Sequence, residues 1–306
     1  MFTEGQLYSP VTEHEDGTVE VHLADTHPGR DDPDYLRRRG EIAGAALGWD
    51  RANDPVPRID YSEAEHEVWR RVSRELGPLH ERHAHSEYLV AKERLALPSD
   101  RVPHLGEVSE RLMPLSGWSY VCAPGLVALR DFYADLGQRC FNSTQYLRHG
   151  SQPLYTPEPD IIHEVIGHAN QLASPRFAAI VEAAGQASLR LETEEAMKLV
   201  ADVFWFSIEF GVMDDAGEPK AYGAGILSSF GEIQEFSHME IRELDLADMG
   251  TLNYDITAYQ PVLFSARSVA HLEDVVGDFF ATVDDDRAAA LREEATRRGL
   301  LPMSHQ

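Results

Sequence analysis

The run Pro157-Glu158-Pro159-Asp160-Ile161-Ile162-His163-Glu164-Val165-Ile166-Gly167-His168 places two imidazoles and a carboxylate within six residues. Neutral imidazole is the commonest protein metal ligand. Two histidines with one carboxylate and open positions typify non-haem Fe(II) oxygenases. A zinc protease instead spaces its histidines four apart, on one helical face. Here they are five apart, about 500° of rotation in a regular helix, which leaves them roughly 140° out of register. An unbroken regular helix cannot aim both at one ion. Gly167 suggests the remedy, because glycine adopts the left-handed backbone that ends helices. The spacing therefore predicts His163 in the last turns of a helix and His168 just beyond its end. The competing reading is a pair of unrelated polar histidines near a helix terminus.

Two histidines need a third ligand, and Glu209 in Val203-Phe-Trp-Phe-Ser-Ile-Glu209 is the best candidate. It is the one charged residue of a strongly apolar helical run. A glutamate is almost never fully buried without a partner, and a cation would offset its desolvation. The alternative is a solvent-facing stripe, which the aromatic neighbours disfavour.

Composition narrows the function classes. At 306 residues and 43% hydrophobic content the chain can bury a large core, and its formal charge is −25. That charge argues against nucleic-acid and anionic-membrane partners, both of which require basic patches. No apolar run approaches the roughly 18–20 residues of a membrane span. The start, Met-Phe-Thr-Glu-Gly-Gln, lacks the basic and apolar segments of a signal peptide. Two cysteines, Cys122 and Cys140, are too few for a disulfide scaffold and suit a reducing cytosol. A cytoplasmic location is expected.

Residues 1–22 read as an acidic, mobile head, relieved by the alternating patch Thr18–Leu23 that suits a short edge strand. Residues 23–306 read as one catalytic domain, mainly α-helical with short β-ribbons. Ser62 and Glu65 form a capping box ahead of Val68, Trp69, Val72 and Leu76, and Gly77-Pro78 is expected to stop that helix. Ser174-Pro175 opens another helix, and Thr193 begins a third that runs to Phe210. Ser229 and Glu232 form a second capping box. Leu272, Val275, Val276, Phe279 and Phe280 mark a late helix, and a charged one runs from Asp285 to Arg298.

In six ordered blocks the chain resembles the pterin-dependent aromatic amino acid hydroxylases, the phenylalanine-hydroxylating branch above all. The blocks are Arg130-Asp-Phe132, Ser143-Thr-Gln-Tyr-Leu-Arg148-His-Gly-Ser, Tyr155-Thr-Pro-Glu-Pro-Asp160, the His163–His168 motif, Phe206-Ser-Ile-Glu-Phe-Gly, and Lys220-Ala-Tyr-Gly-Ala-Gly-Ile-Leu-Ser-Ser-Phe-Gly-Glu232. The likeness runs from about Leu23 to about Val283. It implies the catalytic-domain fold of that family, Fe(II) held by His163, His168 and Glu209, tetrahydrobiopterin or a related reduced pterin, and O₂ as co-substrate. The implied substrate is a free aromatic L-amino acid, first of all L-phenylalanine converted to tyrosine. Phenylalanine 3-hydroxylation to meta-tyrosine and tryptophan 5-hydroxylation are the alternatives.

By the same resemblance, Arg148 would hold the substrate carboxylate, with Asp160 orienting the guanidinium and Thr156 adding a hydrogen bond. A bidentate fork suits that task. Pro159, Trp205, Phe210, Gly225 and Ser229 would bound the substrate side, and Ser228 would hydrogen-bond an iron-ligating histidine. On the pterin side, Phe132 would stack under the ring, the backbone of Gly125, Val127 and Leu129 would run along its edge, and Glu164 would face its reactive side. Tyr35 matches a mobile lid. The chain departs from its likeness at Asn142 beside the pterin, Ala169-Asn170, Phe204 and Ser265, which leaves the ring position open.

Fewer than 25 residues precede the matched core, and no heptads follow it. The expectation is an enzyme without regulatory or tetramerisation domains, monomeric or weakly dimeric, with hyperbolic kinetics. A metallohydrolase and a non-catalytic iron or pterin sensor are the rival classes. The intact triad disfavours the sensor, and the histidine spacing disfavours the hydrolase.

Overall fold

The computed structural model describes residues 10–125, 127–256 and 258–300. Residues 1–9 of the expected head, and residues 301–306, lie outside that range. Within the described part of the head, the short strand expected in Thr18–Leu23 is present at Val19–Val21. Val11–Glu13 and Val19–Val21 pair as an antiparallel hairpin against helix Pro33–Leu47, and Val21 is buried. Asp32 caps that helix by accepting from the Asp34 and Tyr35 backbone amides, with Pro33 at the first position.

The mainly helical expectation holds. Both halves of the Ser62–Glu65 capping box are present at the start of helix Glu63–His83. That helix does not stop at Gly77-Pro78. A proline costs the ladder one bond, here to the Arg74 carbonyl, and its ring strains the preceding turn. The buried face continues across it through Leu76, Leu79 and His80, and that burial outweighs the defect. Ser174 caps helix Pro175–Ser188, and Thr193 caps helix Glu194–Phe204. The second capping box forms by half. Glu232 donates its amide to Ser229 Oγ, but its carboxylate accepts from the Gln260 amide instead.

The β structure is confined to ribbons. Ser119–Cys122 and Cys140–Ser143 pair in parallel, joined through helix Leu129–Leu136. A four-stranded sheet runs in the order Glu218–Ala221, Val212–Asp215, Val262–Ala266, Glu240–Glu243, with its first pair antiparallel. Ser265 sits in this sheet opposite Val212. One large apolar cluster unites helices and sheet, and of the three widened helical turns that contribute to it, one, Glu273–Gly277, lies late in the chain and two, His163–Ala169 and Trp205–Glu209, bring their side chains together. Those two turns carry the candidate site.

Candidate active site

Both widened turns are π-helical, with hydrogen bonds from residue i to i+5. Such turns are rare and concentrate at functional sites. In the second, the Phe210 amide donates to the Trp205 carbonyl at 2.9 Å. A π turn holds an extra residue, so side chains five apart return to nearly the same side. This corrects the expectation that Gly167 breaks the helix. Gly167 has no left-handed backbone, and the helix continues into Asn170–Leu172. The role of Gly167 is contact. A β-carbon there would lie 2.8 Å from the Ala224 carbonyl oxygen, so the glycine lets the histidine turn pack on helix Ala224–Ser228.

The result is convergence. His163 Nε2 and His168 Nε2 stand 3.1 Å apart, and the Glu209 carboxylate lies 3.1 Å from His168 Nε2 and 3.7 Å from His163 Nε2. One ligand atom from each lies within 4.8 Å of the others. Ser228 Oγ donates to the Ala224 carbonyl, so it accepts from His163 Nδ1 at 2.8 Å. That bond places the proton on Nδ1 and leaves the Nε2 lone pair pointing inward. Burial, then the neighbouring His168, pushes His163 down to about 4. Burial raises the Glu209 carboxyl, but the two histidines outweigh it and hold the group below its usual range. Two lone pairs and a carboxylate crowded into a buried point form a donor set that fits a divalent cation.

Ser228 is itself supported from behind. The Leu227 carbonyl accepts from His80 Nε2 at 2.7 Å, and His80 Nδ1 accepts from Lys92 Nζ at 2.8 Å. Burial, then Lys92, pushes His80 down to about 3, so the imidazole is neutral and its tautomer fixed.

The triad opens onto a cavity of about 310 Å³. Arg148 lines it. Asp160 engages that arginine three times, accepting from the backbone amide (2.8 Å), Nε (2.9 Å) and Nη2 (2.8 Å). Burial raises the Asp160 carboxyl, yet the Arg148 charge and these bonds hold it below the carboxylate range. Thr156, Pro159, Trp205, Phe210, Gly225, Ser228 and Ser229 also line the cavity, as do Phe132 and Glu164. Thr156 donates its hydroxyl to the Glu158 carbonyl.

The remaining expected residues do not line this cavity. Gly125, Val127, Leu129 and Asn142 are not among the lining residues, and Leu126 lies outside the described residues. The Asn142 amide donates to Asp135, which also pairs with Arg51. Tyr35 is built into helix Pro33–Leu47, donates to the Leu147 carbonyl, and lines a second cavity behind Arg148. It does not cover the triad.

Sequence reasoning missed Phe141, whose ring centroid lies 4.5 Å from that of His168. It also missed that Glu232, Ile256, Ala258 and Tyr259 line the same cavity. Burial pushes Glu232 up to about 7, with the Gln260 amide opposing. No helix among the described residues is long and apolar enough to cross a membrane.

A family profile described as biopterin-dependent aromatic amino acid hydroxylase matches residues 11–295. The phenylalanine 3-hydroxylase of Streptomyces coeruleorubidus is 47% identical over 266 residues, covering 87% of this chain and 95% of the relative. The human phenylalanine-4-hydroxylase is 38% identical, covering 84% of this chain and 58% of the relative. The chain thus spans about half the length of the animal proteins it matches. Among solved structures, Chromobacterium violaceum phenylalanine hydroxylase with bound iron(III) and 7,8-dihydrobiopterin has a TM-score of 0.72 at 30% identity, covering 83% of this chain and 91% of that one.

Proposed function

Because the chain belongs to the biopterin-dependent aromatic amino acid hydroxylases, a family of monooxygenases that use iron and a reduced pterin, we propose that it hydroxylates the ring of free L-phenylalanine. The observation that carries this reading is the shared cavity. Arg148, gripped by Asp160, lies at its wall together with the His163, His168 and Glu209 donor set and the rings of Phe132, Phe141, Trp205 and Phe210.

In this reading His163, His168 and Glu209 hold Fe(II), which with the pterin supplies the activation of dioxygen when bound. The protein's own groups bind and orient. Arg148 takes the substrate carboxylate, and Asp160 keeps the guanidinium from turning away. Pro159, Trp205, Phe210 and Gly225 bound the arene. Gly225 matters by having no side chain, since a β-carbon there would lie 2.6 Å from Phe210 Cζ. Ser228 holds the proton of His163 Nδ1, keeping Nε2 free. Phe132 offers a face for the flat pterin, and Glu164 lies at the cavity wall beside it. The buried lining keeps water from the reacting atoms.

Two ring positions have separate support. Hydroxylation at C4, giving tyrosine, is supported by the phenylalanine-4-hydroxylases at 38% identity. Hydroxylation at C3, giving meta-tyrosine, is supported by the Streptomyces relative, with higher identity over nearly its whole length. The higher identity favours C3. Aerobic incubation with Fe(II), tetrahydrobiopterin and L-phenylalanine or L-tryptophan, with regioisomers separated, tests both. Meta-tyrosine as the main product is the expected result, and preferential turnover of tryptophan would refute the substrate. A monomeric or weakly dimeric, cytoplasmic protein belongs to the same proposal, the location supported by two unbridged cysteines, and light scattering of the purified protein checks the oligomeric state.

A further inference from the structure

Trp205 is the wall residue whose orientation the surrounding protein determines most completely. Its indole is 5% exposed, and it opens the π turn that ends in Glu209. Indole and candidate ligand therefore share one rigid turn. Nε1 donates to Gln260 Oε1 at 3.2 Å. The Gln260 amide has one orientation available, because Nε2 donates to the Asp255 carbonyl (2.9 Å) and the Ala258 carbonyl (3.0 Å). With both its N–H groups so engaged, the side-chain oxygen must face the indole. The Gln260 backbone is anchored as well, donating to Glu232 Oε1 at 3.0 Å.

The faces of the indole are as constrained as its edge. Tyr254 stacks on it with ring centroids 4.7 Å apart and planes 13° from parallel. The Tyr254 hydroxyl donates to Asp202, which Lys198 holds at 2.8 Å. Phe210 packs at 4.5 Å with a tilt of 40°. Rotating the indole would strand a buried N–H and open two aromatic contacts.

We propose that Gln260 and Tyr254, by fixing the plane of Trp205, determine which ring carbon of the substrate is hydroxylated. The inference rests on the phenylalanine reading above. An amino acid tethered at Arg148 with its ring beside the triad retains little freedom except rotation and sideways displacement of that ring. The side wall sets both. A misplacement on the order of 1 Å changes rates about 10²-fold, so a small tilt of Trp205 suffices to exchange C3 for C4. Gln260 and Tyr254 are positioning residues here, acting through the indole.

The test compares wild type, Gln260→Leu, Tyr254→Leu, Tyr254→Phe, Trp205→Phe and the double variant Gln260→Leu/Trp205→Phe. Each is loaded with Fe(II) and tetrahydrobiopterin and given L-phenylalanine, and the ratio of 3- to 4-hydroxylated product is measured. Calorimetric titration with L-phenylalanine follows binding separately. Gln260→Leu and Tyr254→Leu should each shift the ratio about ten-fold while binding changes by less than three-fold. Tyr254→Phe, which keeps the stacked ring, should bring the ratio back towards wild type. On the Trp205→Phe background, where there is no indole N–H to hold, Gln260→Leu should add nothing.

A wild-type ratio in both leucine variants would overturn the proposal. So would an equal Gln260→Leu shift with and without the indole, because Gln260 would then be only a prop for its loop. If Gln260→Leu does not fold, the Tyr254 pair decides alone. A wild type that forms no hydroxyphenylalanine would overturn the substrate premise, and the proposal with it, which is distinct from product formed at an unmoved ratio.

Discussion

The Arg148 side and the Phe132 side of the cavity are built on different principles. On the first, polar groups are held by directional bonds. Arg148 makes three to Asp160, and Trp205 is fixed by Gln260, Tyr254 and Phe210. On the second, Phe132 and Phe141 meet edge to face, 5.9 Å apart, and present apolar surface. A carboxylate must be met by a guanidinium in one geometry, because a buried charge without its partner is costly. A flat heteroaromatic is satisfied by faces, whose attraction tolerates small displacements. The Arg148 wall is specified by bonds, the Phe132 wall by shape.

Substitutions at three places in the cavity can break or sharpen that contrast. The largest effect belongs to the point where the two sides meet. Glu209→Gln or His163→Ala should abolish iron retention and turnover together, by at least about 10³-fold in metal affinity, since loss of a mere supporting bond already costs roughly 10–100-fold. Equilibrium titration with Fe(II) or Co(II) reads this directly, and full hydroxylation by iron-free His163→Ala would remove the triad from the mechanism. Next, Asp160→Asn should weaken L-phenylalanine binding about 10–100-fold, as expected for losing charge-assisted bonds. Metal affinity should stay within two-fold. If both fall together, the bonded wall is not separable from the metal site. Smallest is Phe132→Leu, which should raise the KM for tetrahydrobiopterin by about three- to ten-fold and leave that for phenylalanine unchanged. A loss comparable with that of Asp160→Asn would mean the pterin wall is as directional as the other.

The same division decides what could be read from the sequence. His163, His168 and Glu209 were legible because metal-binding residue types in an apolar setting have few alternative explanations. Arg148, Asp160, Trp205 and Phe132 became legible through family likeness. The reason the histidines converge was not legible. No residue type announces i→i+5 hydrogen bonding, and Gly167 is in the structure a close contact to Ala224 rather than a helix terminus. Pro78 misled similarly, because one lost bond is a local fact and the buried face around it a tertiary one. Gln260, Phe141 and His80 were silent, since their roles come from partners 55, 27 and 147 positions away: the Trp205 indole, the His168 ring and the Leu227 carbonyl.

The widened turn at His163–Ala169 makes the catalytic centre sensitive to counting as much as to chemistry. Excision of one codon between the histidines would leave every donor in the gene and shrink their interval from five to four. At ordinary pitch two histidines four apart would again share one helical face, so the pair itself would survive the loss of the widening. In this scaffold the interval of five requires the widened turn, whereas an interval of four would be served by an unwidened one, so residue count and helical pitch are matched to each other.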